Sequence, residues 1–404
     1  MLHNPIVPAE SELIFQAALA RIPGVGARLL RELRTVFGTY ANAWNAAPAE
    51  WLDVPGASGG LRDRFETVQS SFDLKAFSAK LKEDGIFLIG LDQPGYPEAL
   101  AAISSPPPVL YARGNIEPLL PDKIAVVGTR KASEYYLKRT RQLAHDLASL
   151  GLAIVSGMAL GIDGAAHEGA LEAEGMTIAV LGSGIDHIYP PQHEALYKEI
   201  VDKGLVLSEF PPGTQPAKEN FPRRNRIIAG LSHGVIVAEA PMGSGALITA
   251  DLALENGREV FAFSGRPGFR SSQGCHELIK SGRAKLIDHA DDVMEEWPQR
   301  KSELLEEQVK KLKSQLSLPG AEKRVTGKAP KARARPAPKP AARASVKAKE
   351  EELELLGRVS YEKSHINDVA RATGMSIAEL AARLTMLELK GLVRSLPGGY
   401  YQRL

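Results

Sequence analysis

Cysteine is almost absent. Cys275 stands alone among 404 residues, which excludes an internal disulfide and a cysteine-rich zinc site, and fits a reducing compartment. Long hydrophobic runs are missing too. The nearest, GLAIVSGMALGI ahead of Asp163, falls short of the roughly 20 apolar residues that span a bilayer. The opening MLHNPIVPAESELIF lacks the basic-then-apolar layout of a signal peptide, so a cytoplasmic chain without membrane association is expected. Nor does one sign of charge prevail: 50 basic residues face 48 acidic ones, a formal net charge of +2. The overall balance therefore does not decide whether the partner is a polyanion, and local clusters must.

Several catalytic signatures are also missing. No GxxxxGK[ST] occurs, and LGSGIDH has Gly182 and Gly184 but His187 where a dinucleotide fingerprint needs a third glycine. ATP hydrolysis and dinucleotide redox chemistry lose ground. MGSGA sets Ser244 between glycines, but Met242 occupies the first glycine position of a GxSxG elbow. No HExxH occurs. His167, four residues after Asp163, could share a helix face with it; a helix-capping Asp163 and a hydrogen-bonding histidine are preferred to metal ligands. The expectation is no catalytic residue, no metal and no cofactor.

What is present is an alternation. From Lys123 onward the short apolar runs KIAVVG, GLAIVSG, MTIAVLG, GLVLSE, GVIVAEA and REVFAFSG are separated by helical patterns. Buried strands alternating with helices predict an α/β domain, a Rossmann-like, doubly wound and mostly parallel sheet covered on both faces. Residues 81–300 are assigned to it. Residues 1–80 read as helical segments broken by Gly and Pro. Residues 301–350 are a linker, whose stretch Gly320–Lys349 carries ten basic residues and one acid and almost nothing able to form a core; it serves as a solvated spacer, a basic arm attracted to nucleic acid, or both. Residues 351–404 form a small C-terminal domain.

Ligands of doubly wound sheets sit outside the carboxyl ends of the strands. Here those ends carry Gly128-Thr129-Arg130, Ser156-Gly157, Gly182-Ser183-Gly184, Gly243-Ser244-Gly245 and Ser264-Gly265. Glycines there either make tight turns or offer backbone N–H groups to phosphate oxygens. The stretch NFPRRNRIIAGLS (Asn220–Ser232) sharpens the choice. It reads as a helix with Arg223, Arg224 and Arg226 in its first turn, against the helix dipole, and an oxyanion there would satisfy guanidiniums and free N–H groups together. Lys218 and Arg130 add charge, and Phe221 adds a ring for stacking on a base. The competing arrangement pairs the arginines with Glu209, Glu219 or Glu239 and buries Phe221.

The flanks are less decisive. IPGVGARLLRELRTVFG (Ile22–Gly38) resembles a helix-hairpin-helix element, with a weaker copy in WLDVPGASGGLRDRF (Trp51–Phe65); DNA contact, protein contact and packing all stay open. From Glu351 a short helix, a turn at Thr373-Gly374-Met375, a striped helix through Leu389 and a Pro-Gly-Gly hairpin make a winged helix-turn-helix pattern. A duplex-reading helix normally carries several basic or amide side chains, but Ile377–Leu389 offers only Arg383. A protein-binding or structural role is at least as well supported.

Taken in order, YPEALAAISSPPPVLYARGN, VGTRKAS, SGMALGIDGAAHEGAL, YPPQHEALY, LSEFPPGT, NFPRRNRIIAGLS and GALITADLALENGREVFAFSG closely resemble the bacterial DNA-processing protein A (DprA, or Smf) family from about Tyr96 to Ile287. The C-terminal segment resembles that family's winged-helix domain. The resemblance implies a non-catalytic protein that holds single-stranded DNA in a basic pocket of the Rossmann-like domain, forms a homodimer through that domain, and helps load RecA recombinase in natural transformation. By motif position Arg130 matches the arginine of the family's Gly-Ser-Arg loop, here with Gly128 and Thr129. Lys218 and Phe221 match its Lys-x-x-Phe, which spans Asn220, and Arg223, Arg224, Asn225 and Arg226 match its RNR segment. Ser156, Gly157, Gly243 and Ser244 complete the expected DNA-binding set. Thr129 replaces the usual serine but keeps its hydroxyl, and Leu160 stands where an arginine is frequent. Ser264, Cys275 and His276 replace a common proline, threonine and asparagine, so the Ser264–Ile279 loop is left without an assigned contact.

Two other functions compete. A nucleotide-hydrolysing enzyme of the phosphoribohydrolase type carries PGGxGTxxE; here APMGSGALITADLA has Ile248 and Thr249 near the glutamate position and no acid until Asp251. A duplex-binding regulator acting through the winged helix is weakened by the sparse basic face of its second helix.

Overall fold

Each apolar run forms a buried strand. The computed structural model describes residues 9–119 and 122–297 and, towards the C-terminus, residues 364–373, 375, 380, 383, 384, 387, 393–396 and 400–403. The chain divides into two compact units, Met1–Leu318 and Pro319–Leu404.

In the first unit, β1 (Phe87–Gly90), β2 (Val109–Gly114), β3 (Lys123–Val127), β4 (Ala153–Ser156), β5 (Thr177–Leu181), β6 (Leu205–Ser208), β7 (Gly234–Val237), β8 (Glu259–Phe263) and β9 (Lys285–Ile287) form one nine-stranded sheet. Its order is β1-β2-β6-β5-β4-β3-β7-β8-β9. The β1–β2 and β2–β6 pairs are antiparallel, and every pair from β6 to β9 is parallel. The chain starts centrally at β3, winds outward through β4, β5 and β6, then returns to β7 on the other side of β3. This is the doubly wound arrangement, with its switch point between β3 and β7.

Helices cover both faces. The buried residues of α7 (Glu134–Ser149) and α8 (Ile162–Glu172) pack on one face with Ile124, Val126, Ile154 and Ile236. Those of α10 (Asn220–Leu231), α11 (Gly245–Glu255) and α12 (Gln273–Lys280) pack on the other with Ala125, Val127, Val155, Val235 and Val237. Successive residues of β3 thus enter opposite cores, which is why the strand reads as an unbroken apolar run. Short α6 (Glu98–Ala101), α9 (Glu194–Lys203) and α13 (Ala290–Met294) complete the α/β part. β1, β2 and β9 escape the strand pattern because they are edge or near-edge strands, β2 beginning directly after Pro106-Pro107-Pro108.

Ahead of the sheet lie α1 (Ala9–Ala20), α2 (Ala27–Phe37), α3 (Tyr40–Asn45), α4 (Gly59–Ser71) and α5 (Leu74–Glu83). Their core stacks Trp51 on Phe65 with centroids 3.8 Å apart, and Trp51 Nε1 donates to Ala43 O at 3.0 Å. The weaker hairpin copy thus supplies core aromatics. This group docks on the sheet edge through Gln16, whose Nε2 donates to Pro108 O at 3.1 Å, while its Oε1 occupies the place a Cβ on Gly90 would take.

In the second unit β10 (Ser364–His365), α14 (Ile366–Thr373), β11 (Val393–Leu396) and β12 (Tyr400–Arg403) surround a small core of Val369, Leu380, Leu384, Leu387 and Val393. The strands form an antiparallel sheet, β10-β12-β11. Leu380, Leu384 and Leu387 have the spacing of one helix face, as a winged helix requires. Residues 301–350, read as a linker, lie outside the described residues.

Candidate functional site

The switch point holds a cavity of about 630 Å³ lined by the β3 loop (Gly128–Lys131), Ala159, Asp163, Tyr189, Lys218, the start of α10 and the start of α11. Glycines set its walls by having no Cβ. At Gly161, φ is +82° and a Cβ would strike Thr129 O, so the α8 turn closes directly beneath Thr129-Arg130, with Ile162 N donating to Thr129 O at 3.3 Å. A Cβ on Gly157 would lie 2.6–2.7 Å from the Arg224 guanidinium and the Asp163 carboxylate. A Cβ on Gly182 would lie 2.7 Å from the Phe221 ring.

Only Arg223 of the three arginines lies in the first turn of α10, which begins at Asn220. The expectation that all three face a phosphate is corrected. Arg226 donates to both oxygens of the buried Glu209 carboxylate, at 2.9 and 2.7 Å. Arg223 reaches the same carboxylate at 3.3 Å but leaves 62% of its side chain exposed. Arg224 is buried and donates to Gly157 O at 2.7 Å and to Val180 O. It ties α10 to the carboxyl ends of β4 and β5, and it is lodged in the pocket wall. Burial pulls its pKa down to about 10, with Asp163 opposing and Arg130 adding to the fall. Burial raises the pKa of Asp163, opposed chiefly by Arg224. Among the described residues Glu239 takes no arginine: its Oε2 accepts from Ser133 N at 3.1 Å at the head of α7.

The cations facing the cavity are Arg130, Lys131 and Lys218, and among the described residues none has a side-chain ion pair or hydrogen bond. Arg130 Cζ stands 5.0 Å over the Phe221 ring, a cation–π contact that keeps the charge at the mouth. Phe221 is half-buried, neither core nor free. Ser244 caps α11, its Oγ accepting from Ala246 N at 3.3 Å, and no acid lies in that helix's first turn. Ser244, Gly245 and Ala246 line the cavity, so the helix's positive end faces it. Asn225 Nδ2 donates to Gly245 O at 3.2 Å and holds α11 against α10.

Other expected residues sit elsewhere. Ser156 is fully buried and its hydroxyl donates to Val126 O at 2.6 Å, so its side chain is not a contact. Arg226 lines a separate groove of about 380 Å³ with Arg223, Phe210, Pro211 and the hairpin turn Ile22–Gly26. Asn220 opens α10 and Gly243 precedes the α11 cap, both outside the cavity wall. Asp163 is not a cap, since Gly161 holds that position; its Oδ2 accepts from Ala159 N at 3.4 Å. His167 is fully buried, with Nδ1 2.7 Å from Thr177 Oγ1, and burial, then His193 and Arg224, hold its pKa near 3. Among the described residues no cluster of His, Cys, Asp and Glu could hold a metal, and no helix is long and apolar enough to cross a membrane.

Tyr189 was not anticipated. It is 40% exposed, and its ring lies 5.6 Å from Phe221, tilted by 36°. The signal available was the tyrosine ahead of Pro190-Pro191, inside a stretch that carried only family resemblance.

A basic, aromatic-lined cavity thus lies at the switch point of a doubly wound sheet, where such folds hold their ligands, and a helix N-terminus faces it. Residues 87–298 match the family model described as DNA recombination-mediator protein A, and residues 336–399 that of the DprA winged helix domain. Protein Smf of Synechocystis sp. is 34% identical over 413 residues, covering 98% of this chain and 100% of that protein. The DNA processing protein DprA of Bacillus subtilis is 40% identical over 265 residues, 64% of this chain and 89% of that protein. The X-ray structure of DNA processing protein A from Streptococcus pneumoniae superposes with a TM-score of 0.62 at 37% identity, over 70% of this chain and 97% of that one. The chain belongs to the DprA/Smf family of DNA-processing proteins.

Proposed function

We propose that this protein binds single-stranded DNA in the switch-point cavity without catalysis, and that it serves DNA processing in transformation by protecting the strand and helping to load RecA. The observation that carries the reading is the grouping of Arg130, Lys131 and Lys218 around the Phe221 and Tyr189 rings. Unpaired cations suit a phosphate backbone, and rings suit unstacked bases, which a duplex does not offer. Gly128 and Thr129 shape the loop beneath Arg130, while Gly157, Arg224 and Asn225 position α10 and α11.

Nucleotide hydrolysis is disfavoured by the character of the lining acid. Asp163 is buried behind Gly157 beside the Arg224 guanidinium, and its Oδ2 accepts from Ala159 N, so the carboxylate is held by the fold and not presented to a substrate as a general base must be. RecA loading and homodimerisation through the α/β domain are proposed from family membership.

The test is fluorescence anisotropy with labelled oligo-dT, competed by unlabelled duplex. Binding that weakens steeply between about 50 and 200 mM salt and resists duplex competition is expected. Equal competition by duplex would contradict a single-strand pocket, and release of free base or ribose phosphate from a nucleoside monophosphate would establish the hydrolase instead.

A further inference from the structure

A second group of rings and cations lies at the same carboxyl edge of the sheet as the cavity. Arg266-Pro267-Gly268-Phe269 is a tight turn: Phe269 N donates to Arg266 O at 3.2 Å, and Gly268 has φ +81°. Proline at the second position and positive-φ glycine at the third are what a type II turn demands. The turn is fixed at its base, where Arg266 N donates to Ser272 Oγ at 3.2 Å and Ser272 N to Phe269 O at 3.1 Å. Its two ends bring side chains together, with Arg266 Cζ 5.8 Å from the Phe269 ring and 5.1 Å from the Tyr135 ring on α7. Tyr135 is anchored in turn by Arg139 Nη1, which donates to its hydroxyl at 3.1 Å.

A structural clasp would bury these rings. Instead Phe269 is 54% and Tyr135 46% exposed, and among the described residues no carboxylate pairs with Arg266. Arg270 and Lys131 are exposed nearby in sequence, with Glu134 the acid on the same helix turn. Lys131 already lines the cavity, and Tyr135 follows four residues later. The turn follows β8, one strand beyond β7, at the same carboxyl edge of the sheet.

We propose that Tyr135, Arg266 and Phe269 form a second stacking subsite for the same DNA strand, receiving nucleotides that leave the switch-point cavity past Lys131. Exposed rings flanking a guanidinium accept bases of any identity and the phosphate between them. The Ser264–Ile279 loop thereby gains a role that its departures from the family pattern had left open. This inference rests on the cavity being the primary site.

The test compares an oligo-dT of about 5 nucleotides, which fills only the cavity, with one of about 20. Arg266→Ala/Phe269→Ala is expected to weaken the long oligonucleotide by about 5-fold or more and the short one by less than about 2-fold. Equal losses at both lengths, or none at the longer, would overturn the subsite. Arg130→Ala/Lys218→Ala should weaken both lengths; if it weakens neither, the cavity reading fails and the subsite with it, whereas loss there with no effect of the Arg266/Phe269 pair overturns the subsite alone. Phe269→Trp separates stacking from folding. The long oligonucleotide should quench the added indole and the short one should not, and an indole indifferent to both would refute the proposal.

Discussion

Gly182→Ala should weaken DNA binding while leaving the fold nearly intact. The added Cβ would meet Phe221 Cδ1 at 2.7 Å and Cε1 at 3.1 Å, where ordinary contact begins at 3.4 Å. The ring must retreat by about 0.7 Å. It can, because it borders a cavity of about 630 Å³, so the cost to stability should stay at or below the low end of the 1–3 kcal/mol typical of overpacking. The displaced ring loses its register with a base, and Arg130, 5.0 Å above it, moves with it. Stacking contributes about 1–3 kcal/mol per base, so affinity should fall by about 5- to 150-fold. The assay is oligo-dT anisotropy beside a urea denaturation curve for Gly182→Ala, Phe221→Ala and the double variant. If the glycine acts through the ring, the double variant binds like Phe221→Ala alone. Unchanged affinity in Gly182→Ala, or full additivity in the double variant, would refute the reasoning.

Three further outcomes follow from the same geometry. Arg226→Ala leaves the buried Glu209 carboxylate without its two-pronged partner and should cost about 3–5 kcal/mol in denaturant unfolding, whereas Arg223→Ala, largely exposed, should cost less than about 1 kcal/mol. His167 has a pKa near 3 in the fold against about 6.5 unfolded. The unfolded chain therefore binds the proton first on acidification: the stabilisation is complete above about pH 6.5 and drains towards pH 3, amounting to about 2 kcal/mol between pH 7 and pH 5. Denaturation curves at the two pH values should show that loss, and His167→Asn should flatten it. The Cys275 thiol is buried, with its pKa pushed up to about 12 by burial and its Sγ 3.5 Å from Val237 O; a thiol reagent should label it only as fast as the protein unfolds.

The central sheet was legible because its strands are buried on both faces, so that KIAVV or TIAVL had no competing reading as an amphipathic segment. Edge strands such as β1 and β9 are too short and too mixed to announce themselves. At the site, chain position showed which residues gather at the strand ends, but not which charges were already spent. Arg223, Arg224 and Arg226 look alike in NFPRRNRIIAGLS, yet successive helix positions differ by about 100° in direction, sending Arg224 into the sheet and Arg226 towards Glu209. Glu209 itself gave no sign of burial in LSEFPPGT. Tyr189 escaped because a ring's exposure is a tertiary property, and Ser156 was overvalued because a hydroxyl at a strand end can turn inward to a neighbouring carbonyl as readily as outward.

The most direct test of the cavity as the DNA site is oligo-dT affinity as a function of salt for the wild type and for Arg130→Ala/Lys218→Ala, each checked for an unchanged unfolding midpoint. If both cations meet phosphates, the double variant binds far more weakly and the slope of log K against log salt falls by about 1.4, or about 0.7 per lost contact. Wild-type affinity and slope in a folded double variant would contradict the assignment and place the DNA elsewhere on the chain.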